Sequence, residues 1–237
     1  MTRREKIGAF FDVDGTVVAP PSLEWRFIGF LLAQDELTTR HIARWLVHFA
    51  KTVVPDPRGA AVLNKRYLGG LRASLADDWE QSLADDGPPC YGAALERMRW
   101  HWSEGHRVFL VSGTLDCLAE VLARQLSGPV EIAATQLEVR GGCWTGQIAG
   151  AHLSGDEKGR AVRNLAARFG LSLWDSYAYG NSMSDLPMLD SVGQRVAVNP
   201  RRRFRRIASS EGWPISDGRL AMPTPCCPLE LASRGAR

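Results

Sequence analysis

The stretch AFFDVDGTVV, residues 9–18, decides the interpretation of this 237-residue chain. Its apolar residues 9–11 are typical of a buried strand, yet they lead directly into Asp12 and Asp14, and acids are normally depleted from strands. Ligands of an open parallel sheet bind outside the carboxyl ends of its strands. Two acids at such an end therefore indicate a functional site, provided that the rest of the chain predicts a parallel sheet.

The second half of the chain alternates between predicted strands and predicted helices. Apolar runs at 107–111, at 176–180 and in QRVAVNP, 194–200, predict strands, and stretches with apolar residues at helical spacing separate them. This alternation is typical of βαβ units, so we predict an α/β fold with a Rossmann-like, doubly wound parallel sheet. The pair Gly141-Gly142 predicts a turn between two further strands.

The stretch 22–85 interrupts this alternation. Its apolar residues recur at helical spacing, and Ser22 and Thr38 stand where helix N-caps are expected. We predict an all-helical cap of about four helices, inserted after the first strand. The predicted domains are a catalytic core of 1–18 plus 88–222, a helical cap of 19–87 and a loose C-terminal tail of 223–237.

Composition excludes several classes of protein. Apolar residues make up 45% and charged residues 23% of the chain, as in an ordinary globular protein. A net charge of +3 is too small to argue for nucleic acid, and no apolar run approaches the roughly 18–20 residues of a membrane span. The charged start, MTRREKIG, is not followed by the apolar stretch of a signal peptide. We expect a cytoplasmic protein with a small-molecule partner, without nucleic acid and without stable membrane insertion; the oligomeric state is not predicted.

Cysteine usage favours free thiols in a reducing compartment. The cysteines are odd in number and scattered, without C-x-x-C spacing, so neither a disulfide framework nor a zinc site is predicted. They are Cys90, Cys117, Cys143, Cys226 and Cys227.

Polar groups suited to phosphoryl transfer follow several of the predicted strands. One of the two carboxylates after the first strand could attack phosphorus, and the other could protonate the leaving oxygen and later activate water. Mg²⁺ with oxygen ligands, together with a lysine, would offset the repulsion between these acids and a phosphate dianion. A hydroxyl and main-chain N–H groups could cradle the phosphate. The residues concerned are Asp12 and Asp14, then Ser112-Gly113-Thr114, then Lys158, then Gly180-Asn181-Ser182 with Asp185.

In this order, D-x-D-G-T, S-G-T, a lysine and G-N-S-x-x-D resemble the four motifs of the haloacid dehalogenase superfamily. The helical insertion between the first two motifs is similar to the cap of the phosphoserine phosphatase-like branch. The resemblance runs through most of residues 7–200. Any one motif would be weak evidence, whereas four in order, each on its expected element, are strong evidence.

The resemblance implies a role for each matching residue. Asp12 would be the nucleophile and a Mg²⁺ ligand, and Asp14 would be the general acid and base, with its main-chain carbonyl also on Mg²⁺. Ser112, Gly113 and Lys158 would bind the phosphoryl group. Asn181 and Asp185 would complete the metal site, directly and through water or through a hydrogen bond to a metal ligand.

Asn181 departs from the family pattern, because many relatives carry Asp there. An amide oxygen can bind Mg²⁺ but brings one negative charge less, so we predict weaker Mg²⁺ binding without loss of activity. The alternative is a degenerate site, which the five other motif residues disfavour.

The cap is expected to determine specificity. Its candidate charged residues are Glu24, Arg26, Lys65, Arg58 and Arg66, although most charges on such helices are simply solvated. None aligns clearly with the Glu and Arg with which relatives bind the ammonium and carboxylate of serine. Cap tryptophans are expected to pack; they are Trp25, Trp45 and Trp79.

The run RRRFRR, 201–206, is interpreted as a solvated basic helix, with an anionic membrane or nucleic acid as the less favoured partner.

The favoured function is a Mg²⁺-dependent phosphomonoesterase that works through an aspartyl phosphate on a small phosphorylated metabolite. Phosphoserine and a lysophospholipid head group both remain open as substrates. One alternative is a phosphotransferase on the same scaffold. Another is a non-catalytic protein that binds a phospholigand.

Overall fold

The computed structural model describes residues 6–52, 65–83 and 87–217. Its main sheet has six parallel strands in the order β3-β2-β1-β6-β7-β8, which confirms the predicted α/β fold. The strands are β1, Gly8–Phe11; β2, Arg107–Leu115; β3, Val130–Thr135; β6, Tyr177–Gly180; β7, Gln194–Val198; and β8, Ile215–Ser216.

Helices connect and flank these strands. The described α-helices are α1, Leu23–Ala33; α2, Thr39–Thr52; α3, Leu75–Ser82; α4, Gly92–Ser103; α5, Asp116–Gln125; α6, Asp156–Phe169; α7, Leu186–Leu189; and α8, Arg202–Ser210. Two single-turn 3-10 helices occupy Arg66–Leu68 and Met183–Asp185. No helix in the described part of the chain is long and apolar enough to span a membrane.

Strand β1 lies in the middle of the sheet and is buried on both faces. Successive side chains of a strand point to opposite faces, so Phe10 stacks on Phe109 with ring centroids 4.8 Å apart, while Phe11 stacks on Tyr179 at 4.2 Å. Burial on both faces explains the unbroken apolar run before Asp12.

Helix α1 begins as predicted at Ser22, whose hydroxyl accepts a hydrogen bond from the N–H of Trp25 at 3.3 Å. One face of α1 is buried, through Leu23, Phe27 and Leu31 at intervals of four residues. Trp79 is buried as expected, but Trp25 is 67% exposed. The expectation that Trp25 packs inside is wrong, because two residues of helix rotate it about 200° away from Leu23.

A two-stranded antiparallel hairpin joins the helical insertion to the sheet. Strands β4, Leu137–Arg140, and β5, Cys143–Ile148, are connected by the predicted Gly141-Gly142 turn, and both glycines have positive φ. Main-chain hydrogen bonds run from the N–H of Gly70 to the carbonyl of Trp144 at 2.7 Å and from the N–H of Trp144 to the carbonyl of Leu71 at 2.9 Å. The insertion is therefore hydrogen-bonded to this hairpin through main-chain groups. The sequence predicted the hairpin turn but not this contact.

Cys90 is disulfide-bonded, whereas Cys117 and Cys143 are free thiols. The expectation of free thiols is therefore wrong at Cys90, because spacing along the chain does not show which cysteines the fold brings together. Cys226, Cys227 and the rest of the predicted tail lie outside the described residues.

Candidate active site

The predicted catalytic residues meet between β1 and β6. These neighbouring strands form the topological switch point, because the chain leaves β1 towards β2 on one side and β6 towards β7 on the other. A cavity of about 740 Å³ opens there. Among the described residues, its lining comprises Asp12, Asp14, Glu24, Lys65, Ser112, Gly113, Thr114, His152, Ser154, Lys158, Asn181, Ser182, Met183, Ser184, Arg201, Arg203 and Phe204.

Lys158, in the first turn of α6, forms the electrostatic centre of the site. Its Nζ lies 2.6 Å from Asp12 Oδ1 and 2.6 Å from Asp185 Oδ1, and its side chain is only 3% exposed. Burial alone would lower the pKa of Lys158, but the two carboxylates outweigh it and hold that pKa above its ordinary value. The lysine is therefore a fixed cation beside Asp12.

Asp12 is buried and held at both oxygens. Lys158 contacts Oδ1, and the Thr16 hydroxyl donates to Oδ2 at 3.1 Å. Burial and then the charge of Asp185 raise the pKa of Asp12 to about 7, against the opposing effect of Lys158.

Asp14 is oriented by two separate elements. Its Oδ1 accepts the N–H of Leu23, the first residue of α1, at 2.9 Å, and its Oδ2 accepts the hydroxyl of Thr114 at 2.9 Å. Burial raises the pKa of Asp14, and these two hydrogen bonds oppose that rise. The insertion and the sheet thus both fix this carboxyl group.

Asn181 and Asp185 complete the cluster from the β6 end. Asp185 Oδ2 accepts the N–H groups of Asn181 at 3.0 Å and Ser182 at 2.8 Å, and the Ser182 hydroxyl at 2.9 Å. Asn181 Nδ2 donates to the main-chain carbonyl of Asp14 at 3.1 Å. This approach requires glycine at position 15, where a Cβ would lie 1.9 Å from Asn181 Nδ2.

Ser112 and Gly113 lie in β2, and both line the cavity. The expected helix N-terminus stands farther away, because α5 begins at Asp116, and the N–H of Thr114 is already donated to Ser112 Oγ at 3.2 Å. A Cβ at Gly113 would lie 3.0 Å from the His152 ring, so the imidazole packs directly on this glycine.

The cap residues predicted to determine specificity do not all lie at the catalytic cavity. Glu24 lines the cavity, but both of its carboxylate oxygens lie 2.6 Å from Lys65 Nζ, and the Tyr67 hydroxyl donates to Oε1 at 2.5 Å. Arg26 instead donates to the carbonyls of residues 19–21, and Arg66 lines a different cavity beside Arg44. Arg58 lies outside the described residues.

Sequence patterns did not place three residues with basic side chains at the site, namely Arg201, Arg203 and His152. Arg201 and Arg203 line the cavity and their side chains are exposed, so the interpretation of RRRFRR as a solvated basic helix agrees with the structure, while two of its residues also border the cavity. Helix α8 is amphipathic, with Phe204 fully buried, but a sequence pattern does not show what lies beside its polar face. Nothing in the sequence distinguished His152 from the other histidines.

Within the described ranges, no three His, Cys, Asp or Glu side chains are grouped as metal ligands. The oxygens of Asp185, also expected to complete the metal site, contact Lys158 and the main-chain N–H groups at 181–182. The other oxygens expected for Mg²⁺ belong to the Asp12 carboxylate, the Asp14 main-chain carbonyl and the Asn181 amide. The hydrogen bond between Asn181 and that carbonyl brings these last two groups together.

Comparison with known proteins agrees with the fold. A model of the haloacid dehalogenase-like hydrolase family matches residues 9–190, so the chain belongs to that family. A Mycobacterium tuberculosis protein named phosphoserine phosphatase SerB1 is 35% identical over 224 residues, which cover 90% of this chain and 71% of the relative. The Streptomyces azureus inhibition of morphological differentiation protein is 39% identical over 219 residues, covering 90% of this chain and 78% of the relative.

Solved structures show the same architecture. A Bordetella pertussis protein with unknown function has a TM-score of 0.74 and 25% identity, covering 90% of this chain and 99% of its own. A phosphoserine phosphatase in apo form has a TM-score of 0.60 at 20% identity, covering 90% and 94%, which is a likeness of fold. The family model confirms the predicted family, and together with the relative named phosphoserine phosphatase it supports a phosphatase as the class of enzyme.

Proposed function

We propose that this hydrolase is a Mg²⁺-dependent phosphomonoester phosphatase that works through an aspartyl phosphate on Asp12. The observation that carries the proposal is the convergence of the buried Asp12 carboxyl group and the partly buried Asp14 carboxyl group with Lys158 and Ser112 around one cavity. This is the set of groups that phosphoryl transfer to a carboxylate needs: a nucleophile, a proton donor, a cation and a phosphate-binding hydroxyl.

In the first step, a carboxylate oxygen of Asp12 attacks phosphorus, and the bond from phosphorus to the substrate oxygen breaks. Asp14 donates its proton to that leaving oxygen, which departs as an alcohol. The raised pKa of Asp14 suits this role, because burial favours the protonated form of the acid. Lys158 and Ser112 bind the phosphoryl oxygens, and Lys158 balances the charge that collects beside Asp12.

In the second step, Asp14, now a carboxylate, accepts a proton from water. The hydroxide oxygen attacks phosphorus, the bond to Asp12 breaks, and inorganic phosphate is released with the Asp12 carboxylate restored. The hydrogen bonds from Leu23 and Thr114 keep Asp14 in one orientation for both proton transfers.

The residues present fit a Mg²⁺ ion. We assign Asp12, the carbonyl of Asp14 and the amide oxygen of Asn181 as its protein ligands, all of them hard oxygen donors. Asp185 holds Lys158 and the main chain at 181–182, so we assign it to positioning that site. When bound, the ion would neutralise charge on the phosphoryl group.

The substrate of the proposed reaction is a small phosphorylated metabolite, and the cap, residues 19–87, would open to admit it and close over it. The relatives named phosphoserine phosphatase support this class of substrate. We expect the reaction to depend on both Asp12 and Mg²⁺.

Phosphate release from p-nitrophenyl phosphate and a panel of natural phosphomonoesters tests the proposal. Asp12→Asn should reduce turnover by at least about 10³-fold, since the amide is no nucleophile. The matched control Asp190→Asn, at a half-exposed acid paired with Arg195 away from the site, should keep full activity. Substantial turnover by folded Asp12→Asn would contradict the nucleophile assignment. Transfer of phosphate to added alcohols in place of water would indicate that the protein is a phosphotransferase. No turnover at all would indicate a non-catalytic protein that binds a phospholigand.

A further inference from the structure

An apolar groove of about 540 Å³ lies between α1 and α2 of the predicted cap. Helix α1 contributes Trp25, Ile28 and Leu32, which lie three and four residues apart and therefore share one face. Helix α2 contributes Ile42 and Trp45. Trp25 and Leu32 are more than half exposed, so this groove presents large apolar side chains to solvent.

The groove and the catalytic cavity share a border. Glu24 and Lys65 line both, so their ion pair stands between the two spaces. Helix α1 shows in which direction the groove leaves the cavity. Its first residue, Leu23, donates its N–H to Asp14, the proposed proton donor to the leaving oxygen. The apolar stripe from Trp25 to Leu32 then runs away from that point for about 10 Å. The groove therefore continues the cavity on the leaving-group side.

At the border between the groove and the cavity, the Glu24 carboxylate is not free to bind the ammonium group of an amino-acid substrate. Glu24 is neutralised by Lys65 at both oxygens and accepts the Tyr67 hydroxyl as well. Among the described residues that line the cavity, the other acids are Asp12 and Asp14, which the proposed reaction uses. A substrate ammonium would have to break the partly buried Glu24–Lys65 pair, which costs more than breaking a fully exposed pair would.

We propose that the substrate is a phosphomonoester whose alcohol carries an extended apolar group, such as an alkyl or acyl chain, and that this group lies in the groove between α1 and α2. The inference rests on the proposed function for the position of the phosphoryl group. The chain would cross the border beside the Glu24–Lys65 pair and cover the exposed stripe of α1. Burial of this stripe would supply binding free energy that a short polar alcohol cannot supply.

Titration calorimetry with alkylphosphonates in the presence of Mg²⁺ tests the groove without relying on turnover. In a series from ethyl to octyl, each methylene that enters the groove should lower Kd by about two- to fourfold, since burying one is worth up to about 0.8 kcal/mol. The heat-capacity change of binding should become more negative with chain length. Turnover of the matching alkyl phosphates should show the same trend in kcat/KM.

Trp25→Ser should weaken this dependence on chain length. The matched control is Trp174→Ser, at a tryptophan that is 81% exposed beside β7, which should keep the wild-type dependence. Both side chains are exposed, so we expect both variants to fold, and circular dichroism checks this.

The outcomes separate the two proposals. A Kd that is flat from ethyl to octyl, or phosphoserine binding far more tightly than octylphosphonate, would overturn the apolar-chain inference even if the enzyme is a phosphatase. A Kd that falls with length in the wild type and not in Trp25→Ser supports it, even if no phosphate is released. Equal loss in Trp25→Ser and Trp174→Ser would also overturn it, because the effect would not belong to this groove.

Discussion

At the residue scale, Asn181 stands where the family motif described above would have Asp. Its amide donates to the Asp14 carbonyl at 3.1 Å, a contact that a carboxylate could not make, because two acceptor oxygens would face each other. By the proposed assignment, the amide would stabilise the metal-free site and would give a bound Mg²⁺ one negative charge less.

Replacing this amide with a carboxylate tests whether the residue at position 181 affects the stability of the metal-free protein and its affinity for Mg²⁺ in opposite directions. Asn181→Asp should bind Mg²⁺ roughly tenfold more tightly, because the added charge attracts the ion at short range. In EDTA the same variant should unfold at a lower temperature than the wild type. Calorimetric titration of Mg²⁺ and thermal unfolding measure the two effects. Equal or weaker Mg²⁺ affinity in Asn181→Asp would contradict this account.

At the scale of elements, the hairpin β4–β5 packs against the 3-10 turn that contains Tyr67 and directly follows Lys65. Gly146 makes this fit possible: it has φ of +76°, and a Cβ there would lie 3.0 Å from Arg66 Cα and 3.0 Å from the carbonyl oxygen of Lys65. Contacts with backbone atoms cannot be relieved by turning a side chain.

Gly146→Ala should therefore destabilise the fold and raise KM by displacing Lys65. Gly142→Ala is the matched control, since Gly142 has φ of +78° but no atom within 4 Å of its Cβ position. Both variants should lose about 1–2 kcal/mol from the left-handed backbone. Urea denaturation should show a further loss of about 1–3 kcal/mol in Gly146→Ala alone. Equal losses would mean that the hairpin does not hold this turn in place.

Sequence patterns predicted the local elements well and the contacts between distant ones poorly. The buried run before Asp12, the N-cap at Ser22 and the Gly141-Gly142 turn depend on neighbouring residues, and all were foreseen. The four motifs predicted which side chains meet at the candidate site, because parallel strands bring their carboxyl ends to one edge of the sheet. The Glu24–Lys65 pair joins residues 41 apart in the chain, and no local pattern records such a pairing.

At the scale of the whole molecule, the buried His101, which is paired with the partly exposed His106, should make stability depend on pH. His101 Nε2 lies 2.8 Å from the Tyr179 hydroxyl, and its Nδ1 lies 2.9 Å from Nδ1 of His106. Burial, and then the charge of His106, lower the pKa of His101 to about 3. Both imidazoles are therefore neutral in the folded protein near neutral pH.

The sign of the pH effect follows from this lowered pKa. Between about pH 6.5, the ordinary pKa of an unfolded histidine, and about pH 3, the unfolded chain binds a proton that His101 in the folded chain does not. The free energy of unfolding should thus fall as the pH falls below about 6.5. His101→Gln should show a shallower fall between pH 6.5 and 4 in chemical denaturation. An unchanged slope in this variant would mean that other groups cause the acid sensitivity.

The central claim is that phosphate passes through a covalent bond to Asp12. Rapid quenching during turnover, followed by borohydride reduction and mass spectrometry of the peptides, tests it most directly, because reduction converts an aspartyl phosphate to homoserine. The account predicts homoserine at position 12, dependent on substrate and Mg²⁺, and none at Asp14. Turnover without reduction at Asp12, or with reduction at another acid, would contradict it.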